Sequence, residues 1–276
     1  MIFPICDKLK TLKNNQILGI IITMKQFIVK LVKQAGLEVN KRFNHDRIIK
    51  VKKPSQIVTQ ADLIADKIIV SALKKKFPAH AIISEESGKN KIASDYLWAV
   101  DPLDGTTNYF IGSPLFAVSL ALFYRGQPVL GAAFAPALNE LYFAEIEKGA
   151  YLNNKKIKVS KNNRLKDSFL TFCHGSARQD IRRAMKIYNK IKMAGLDSRQ
   201  LGSAAIELGF VAAGRTDCIL IPGAHSWDVG AGVLMAREAG GQATDFSGQE
   251  WDIKSKDLAT SNGKIHGQLV KFLKNI

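Results

Sequence analysis

Three short segments of this sequence carry hard oxygen ligands at spacings that ordinary turns do not need. They are Ser84-Glu85-Glu86-Ser87, Asp101-Pro102-Leu103-Asp104-Gly105-Thr106-Thr107-Asn108, and Trp227-Asp228-Val229-Gly230-Ala231-Gly232. In the second, two aspartates follow the apolar run Tyr96–Val100. Pro102 fixes φ and offers no N–H, so the chain bends there. Gly105 permits a tight turn, and Thr106 and Thr107 stand where a helix should begin. Helix starts attract phosphate through unsatisfied N–H groups and roughly half a positive charge. The first segment puts Glu85 and Glu86 at the exit of another apolar strand, and the third puts Asp228 at a helix start. Carboxylates without an accompanying Cys or His set suit Mg²⁺. Taken singly, a Glu pair after a strand is usually a solvated loop, and Trp-Asp before a helix is usually an N-cap. The specificity lies in Pro, paired Asp, Gly, Thr and Asn at fixed spacing within eight residues.

Alternating helical and strand patterns must position these groups. Met24 opens an amphipathic stretch (Phe27, Leu31, Val32, Ala35, Val39), and a first helix is expected over 24–43. Pro54-Ser55 breaks the chain. Thr59 and Asp62 have capping-box spacing, and a helix over 59–77 follows, ended by Pro78. Residues 81–84 and 96–100 read as short strands, and 116–124 and 128–146 as long antiparallel strands joined at Arg125-Gly126-Gln127. Further on, strands are expected from Ser168 to Cys173 and near 217–221, 242–246 and 258–261. Helices are expected over 178–194, 203–213, 228–239 and 264–275. This pattern predicts an α+β (mixed α/β) fold of layered sheets and helices, with a boundary between two halves in the Lys- and Asn-rich segment 148–167. Residues 1–23 look unlike the rest and are expected to be an extension before a native start at Met24.

The chain has 276 residues, 46% of them hydrophobic and 23% charged, which excludes a disordered chain and permits a substantial core. The cysteines Cys6, Cys173 and Cys218 are odd in number and form no C-x-x-C pair, so incidental thiols in a reducing cytoplasm are expected. No apolar run reaches the ~20 residues needed to span a bilayer. The net charge of +16 favours polyanionic partners, but the lysines are scattered, as on a solvated surface.

The three acidic segments, together with Ile57-Val58-Thr59-Gln60-Ala61-Asp62 and Gly202-Ser203-Ala204-Ala205, stand in the order and rough spacing of the inositol monophosphatase family, which this sequence resembles over residues 24–276. The resemblance implies a layered αβαβα sugar-phosphatase fold and two or three Mg²⁺ ions per site, with inhibition by Li⁺. It implies that Glu86, Asp101, Asp104 and the Leu103 carbonyl hold metal, and that Asp228 holds a second ion together with Asp101 and Asp104. Thr106, oriented by Asp62, would help Glu86 position the attacking water. The amides of Gly105 and Thr106 would hold phosphate, with Asp104, Ser203, Ala204 and His225 also near the substrate. Monoester hydrolysis can require accelerations approaching ~10²¹. Metal ions about 3.5–4 Å apart supply far more of this than a helix terminus, by lowering the pKa of water and stabilising the leaving oxygen. Direct in-line attack by water is therefore expected.

Two departures from the family pattern bear on substrate. Ile221 stands where inositol-specific members carry a glutamate that contacts a substrate hydroxyl, and Ala61 stands where relatives often have Thr. Inositol 1-phosphate is the first expectation. Fructose 1,6-bisphosphate, a 3′-phosphonucleotide, histidinol phosphate and NADP remain open, although Thr107-Asn108 resembles the inositol-type ending. The resemblance also implies a homodimer, with strands 116–146 as a candidate interface. It leaves open a role in binding RNA or a transcription factor, as in some bacterial relatives. A degenerate, inactive scaffold is disfavoured, because clustered carboxylates repel unless cations sit between them.

Overall fold

The computed structural model describes the backbone of residues 14–45, 48–53 and 56–274. The first helix, α1 (Asn14–Lys41), begins well before Met24. The expected extension over 1–23 thus lies partly in helical backbone and partly, over 1–13, outside the described residues, as does the break at Pro54-Ser55. A small hairpin, β1 (Ile48–Lys53) with β2 (Gln56–Thr59), leads into α2 (Gln60–Lys76). Asp62 closes the capping box there: its Oδ2 accepts from the Thr59 backbone N–H at 2.7 Å and the Thr59 hydroxyl at 2.6 Å.

Strands β3 (Ala81–Ser84), β4 (Gly88–Lys89) and β5 (Tyr96–Asp104) follow, and then the short helix α3 (Thr106–Phe110). Next come β6 (Ala117–Tyr124), β7 (Gln127–Ala135), β8 (Glu140–Glu145), β9 (Gly149–Leu152) and β10 (Lys155–Lys156). They form an eight-stranded sheet ordered β10-β9-β8-β7-β6-β5-β3-β4. The single strand expected over 128–146 is two strands. Pro136, which cannot donate to a ladder, opens a 3₁₀ turn (Pro136–Leu138) and β8 returns antiparallel to β7. A second, five-stranded sheet, ordered β12-β11-β13-β15-β14, uses β11 (Phe169–Phe172), β12 (Asp197–Arg199), β13 (Cys218–Pro222), β14 (Gln242–Thr244) and β15 (Asp257–Ser261). Its helices are α4 (Arg178–Met193), α5 (Ala204–Ala212), α6 (Ser226–Glu238) and α7 (His266–Leu273).

Period-two alternation sorts the strand side chains into separate cores. On β6, Val118, Leu120 and Leu122 join α1 and α2, while Ala117, Ala121 and Phe123 face α5 and α6. On β13, Ile219 and Ile221 face that same middle layer, and Cys218 and Leu220 face α4 and α7. The result is the expected αβαβα layering. Most of the apolar side chains of 116–146 are buried in these layers. Close approach in the middle layer depends on glycine. A Cβ on Gly230 would lie 2.5 Å from the Phe123 ring, and one on Gly232 would overlap the Leu208 side chain.

His266 is buried in the second half, its Nδ1 2.9 Å from the Ser261 hydroxyl and its Nε2 3.0 Å from that of Thr244. Burial pushes its pKa from 6.5 down to about 4. The folded state therefore resists protonation, so this contribution to stability is complete above about pH 6.5 and is lost as pH falls towards 4. His266→Leu should lower the melting temperature at neutral pH, because two buried hydroxyls lose a partner, yet flatten its pH dependence between 6.5 and 4. An unchanged acid slope in thermal unfolding would contradict this.

Candidate active site

The strand pairing decides which carboxylates meet. Asp101 pairs with Ser119 and Asp104 with Ala117, so three steps on β5 oppose two on β6. Pro102 lies in this irregularity, where the ladder lacks a donor. Three residues apart in a regular strand, the two aspartates would face opposite sides. The extra residue instead puts both on the face of Ala117 and Ser119, towards α5 and α6.

Strand β3 runs parallel to β5, with Ser84 beside Val100. The next residues in register are Glu85 and Asp101, and the Glu85 N–H donates to the Val100 carbonyl at 3.1 Å. Glu85 therefore shares Asp101's face. Ser84, the last residue of β3, faces α2, where it donates a short hydrogen bond to Asp66. Oxygens of Glu85, Asp101 and Asp228 lie within 4.8 Å of one another. Glu86, the glutamate named from the sequence, is not in this trio; its charge instead acts on Asp62.

Burial first, and then the charges of Glu85, Asp104, Asp228 and Asp62, hold the Asp101 carboxyl well above the usual carboxylate range. Asp104 is pushed up to about 7, mainly by burial; hydrogen bonds from Ser203, Ala205 and Ala204 oppose this and the Asp228 charge adds to it. The backbone N–H groups of Ala204 and Ala205 donate to Asp104 at 3.2 and 2.9 Å, and the Ser203 hydroxyl donates a short bond. Ser203 and Ala204, expected near the substrate, thus place the start of α5 on Asp104. Asp228 sits in the first turn of α6, 3.2 Å from Nδ1 of His225, whose ring stacks on Trp227 at 4.7 Å. The bond to Asp228 raises the His225 pKa.

On the other flank, Asp62 is pushed up to about 6, chiefly by burial and also by the Glu86 charge, against hydrogen bonds from Thr59 and Thr106. The Thr106 hydroxyl lies 3.1 Å from Asp62 Oδ1 and 2.8 Å from the Leu103 carbonyl, so its one proton is shared between two acceptors. Gly105 supplies the left-handed turn (φ 82°) that starts α3.

These groups line a cavity of about 670 Å³ that includes Glu85, Asp101, Asp104, Thr106, His225 and Asp228. Leu103, Gly105, Gly202, Ala204 and Ile221 also reach it, as do Cys173–Ser176 and Gln200-Leu201, which lie outside the segments quoted above for their chemistry. Those two loops carry no run of ionisable groups, and only the pairing of β11 with β12 and β13 brings them to the site. Cys173 and Cys218 are both free thiols, and Cys6 lies outside the described residues.

Three mutually repelling carboxylates and a further buried aspartate fit a hard divalent cation: the donor set is all oxygen, and a cation would relieve the repulsion that raises Asp101. Glu85, Asp101 and Asp228 are placed to hold it.

Comparison with known proteins gives a consistent result. The sequence model of the inositol monophosphatase family matches residues 22–276. A fructose-1,6-bisphosphatase/inositol-1-monophosphatase of Thermotoga maritima is 37% identical over 253 residues, covering 91% of this chain and 95% of that protein. A Vibrio cholerae protein named Nus factor SuhB is 37% identical, covering 87% and 91%. Among solved structures, the extragenic suppressor protein suhB of Bartonella henselae superposes with a TM-score of 0.84 at 34% identity, covering 92% of this chain and 99% of that one.

Proposed function

Because the chain belongs to the inositol monophosphatase family, we propose that it is a Mg²⁺-dependent phosphatase of small phosphate monoesters, with inositol 1-phosphate as its first substrate. The observation that carries this reading is the meeting of Glu85, Asp101 and Asp228 within 4.8 Å at a pocket that also holds Asp104 and the start of α3. When bound, the cation would neutralise phosphate charge as a Lewis acid. The chain's own groups do the rest. The Gly105 and Thr106 amides face the phosphate. The Thr106 hydroxyl, held by Asp62, orients the water for in-line attack. The Ser203 turn and His225 border the alcohol.

Phosphate release from inositol 1-phosphate, fructose 1,6-bisphosphate, histidinol phosphate, NADP and adenosine 3′,5′-bisphosphate, with and without Mg²⁺, tests the proposal. Turnover should require Mg²⁺ and fall with added Li⁺; equal turnover in a chelator would end the reading. Within the panel, Ile221 is the residue to change. It is buried at the cavity wall and cannot accept a hydrogen bond from a substrate hydroxyl. Ile221→Glu should raise kcat/KM for inositol 1-phosphate over a monoester lacking that hydroxyl by about tenfold, consistent with ~1–3 kcal/mol for one satisfied polar group. No change in the ratio would remove Ile221 from specificity.

A second reading, binding of RNA or a transcription factor, has one supporting feature beyond the relatives named Nus factor. Arg178, Arg182, Lys186 and Lys192 are all exposed along α4. Binding that weakens steeply with salt and survives Glu85→Gln would support it. No helix among the described residues is long and apolar enough to cross a membrane. We place the protein in the cytoplasm as a homodimer, which size-exclusion chromatography with light scattering would test.

A further inference from the structure

Glu207, on the first turn of α5, is fully buried (0% exposed) yet belongs to no part of the chemistry described above. Its Oε1 gathers three donors: the backbone N–H groups of Leu201 and Gly202, each at 2.9 Å, and the Cys173 thiol at 3.0 Å. The Thr171 hydroxyl is a fourth donor to the carboxylate. Burial, against those hydrogen bonds, pushes the carboxyl up to about 7. Burying a carboxyl is costly unless its oxygens are used, and an apolar side chain would fill the same space more cheaply.

The three donors to Oε1 share a location. Cys173, Leu201 and Gly202 all line the catalytic cavity, while Glu207 lies behind them. Cys173 follows β11 and the other two precede α5, so one oxygen ties together two walls that come from different parts of the chain. The opposite side of the same turn is held by Asn108, whose Nδ2 donates to the Leu201 carbonyl at 2.7 Å. The next residue, Ser203, donates to Asp104. A Cβ on Gly105 would lie 3.2 Å from the Gly202 carbonyl, so the turn rests directly on the loop that begins α3.

We infer that Glu207 is a positioning residue that clamps the Leu201–Gly202 turn and the Cys173 wall against the pocket, and so sets substrate affinity without touching substrate. This rests on the phosphatase reading above. Because the hydrogen bonds of Glu207 go to Leu201, Gly202, Cys173 and Thr171, outside the Glu85, Asp101 and Asp228 trio, the clamp predicts a split between parameters. Loss of the acceptor should loosen the wall that meets the substrate alcohol and leave the cation requirement alone.

The test compares Glu207→Leu with Glu207→Gln, which keeps an acceptor oxygen. In Mg²⁺, E207L should raise KM for inositol 1-phosphate at least tenfold, lower kcat less than threefold and leave the Mg²⁺ concentration for half-maximal activity unchanged. E207Q should stay within threefold of the parent in KM. Amide hydrogen exchange over residues 200–203 should quicken in E207L and remain slow in E207Q. Should E207L fail to fold, Glu207→Asp, which shortens the reach by one methylene, should show the same rise in KM and the same faster exchange. A variant without the acceptor that lowers only the melting temperature, with KM and exchange unchanged, would reduce Glu207 to a packing role and overturn the inference. If the parent protein turned over no monoester, the phosphatase reading would fail, and the exchange measurement would still decide the clamp.

Discussion

Glu85→Gln should lower kcat/KM for inositol 1-phosphate by about 10²–10³, the scale seen when one preorganised electrostatic group is removed from an active site. Glu86→Gln should cost no more than about tenfold. The contrast follows from the parallel pairing of β3 with β5, which sets Glu85 beside Asp101, where its oxygens meet those of Asp101 and Asp228, a trio that does not include Glu86. Glu86 acts on Asp62 through its charge, so its loss should alter how readily Asp62 ionises. Stability supplies an independent check. Without divalent cations, E85Q should melt higher than the parent, because one member of a repelling carboxylate group has gone. With Mg²⁺ the parent should gain in melting temperature as ligand binding to the folded state requires, and E85Q should gain much less. If E86Q proved the crippled variant and E85Q the mild one, the assignment of the cation to Glu85 would be wrong.

Gly232→Val should destabilise the fold by about 3 kcal/mol, at the upper end of the range for overpacking a well-packed core. The new side chain would meet Leu208 of α5 and force α5 and α6 apart. For a chain of this length such a change corresponds to a fall of several degrees in melting temperature. The effect should reach activity as well. Helix α5 begins at the turn that holds Asp104, and α6 carries Asp228 in its first turn. A sub-ångström shift between them misplaces both, so kcat should fall beyond what the lost folded fraction explains. Calorimetry paired with initial rates at a temperature where the variant is fully folded would decide this. Wild-type turnover in a destabilised variant would show that the two helices are not coupled to the chemistry.

Much of the architecture was legible from pattern alone. The capping box at Thr59 and Asp62, the ends of the helices expected over 203–213 and 228–239, and the period-two strands of the first sheet are local features, and local sterics and hydrogen bonding fix them. The split of 128–146 into two strands was harder to see, because Pro136 sits in an apolar run with alternation on both sides. The run of α1 back to Asn14 has no such signal, because the residues before Met24 lack the amphipathic spacing of Phe27, Leu31, Val32, Ala35 and Val39.

The sequence by itself determined which chemistry is available. It supplied clustered hard oxygen ligands, a Pro-broken strand end with a glycine turn, and helix starts, because residue type and short-range spacing set donor hardness and turn geometry. Only the tertiary structure decided which carboxylates share a face. The extra residue at Pro102 brings Asp101 and Asp104 to one side of β5, the register of β3 sets Glu85 beside Asp101, and the packing of α5 and α6 delivers Ser203 and Asp228. The reason is the twofold period of a strand. A shift of one residue in pairing reverses every side chain, and pairing between strands is set by the neighbours they pack against.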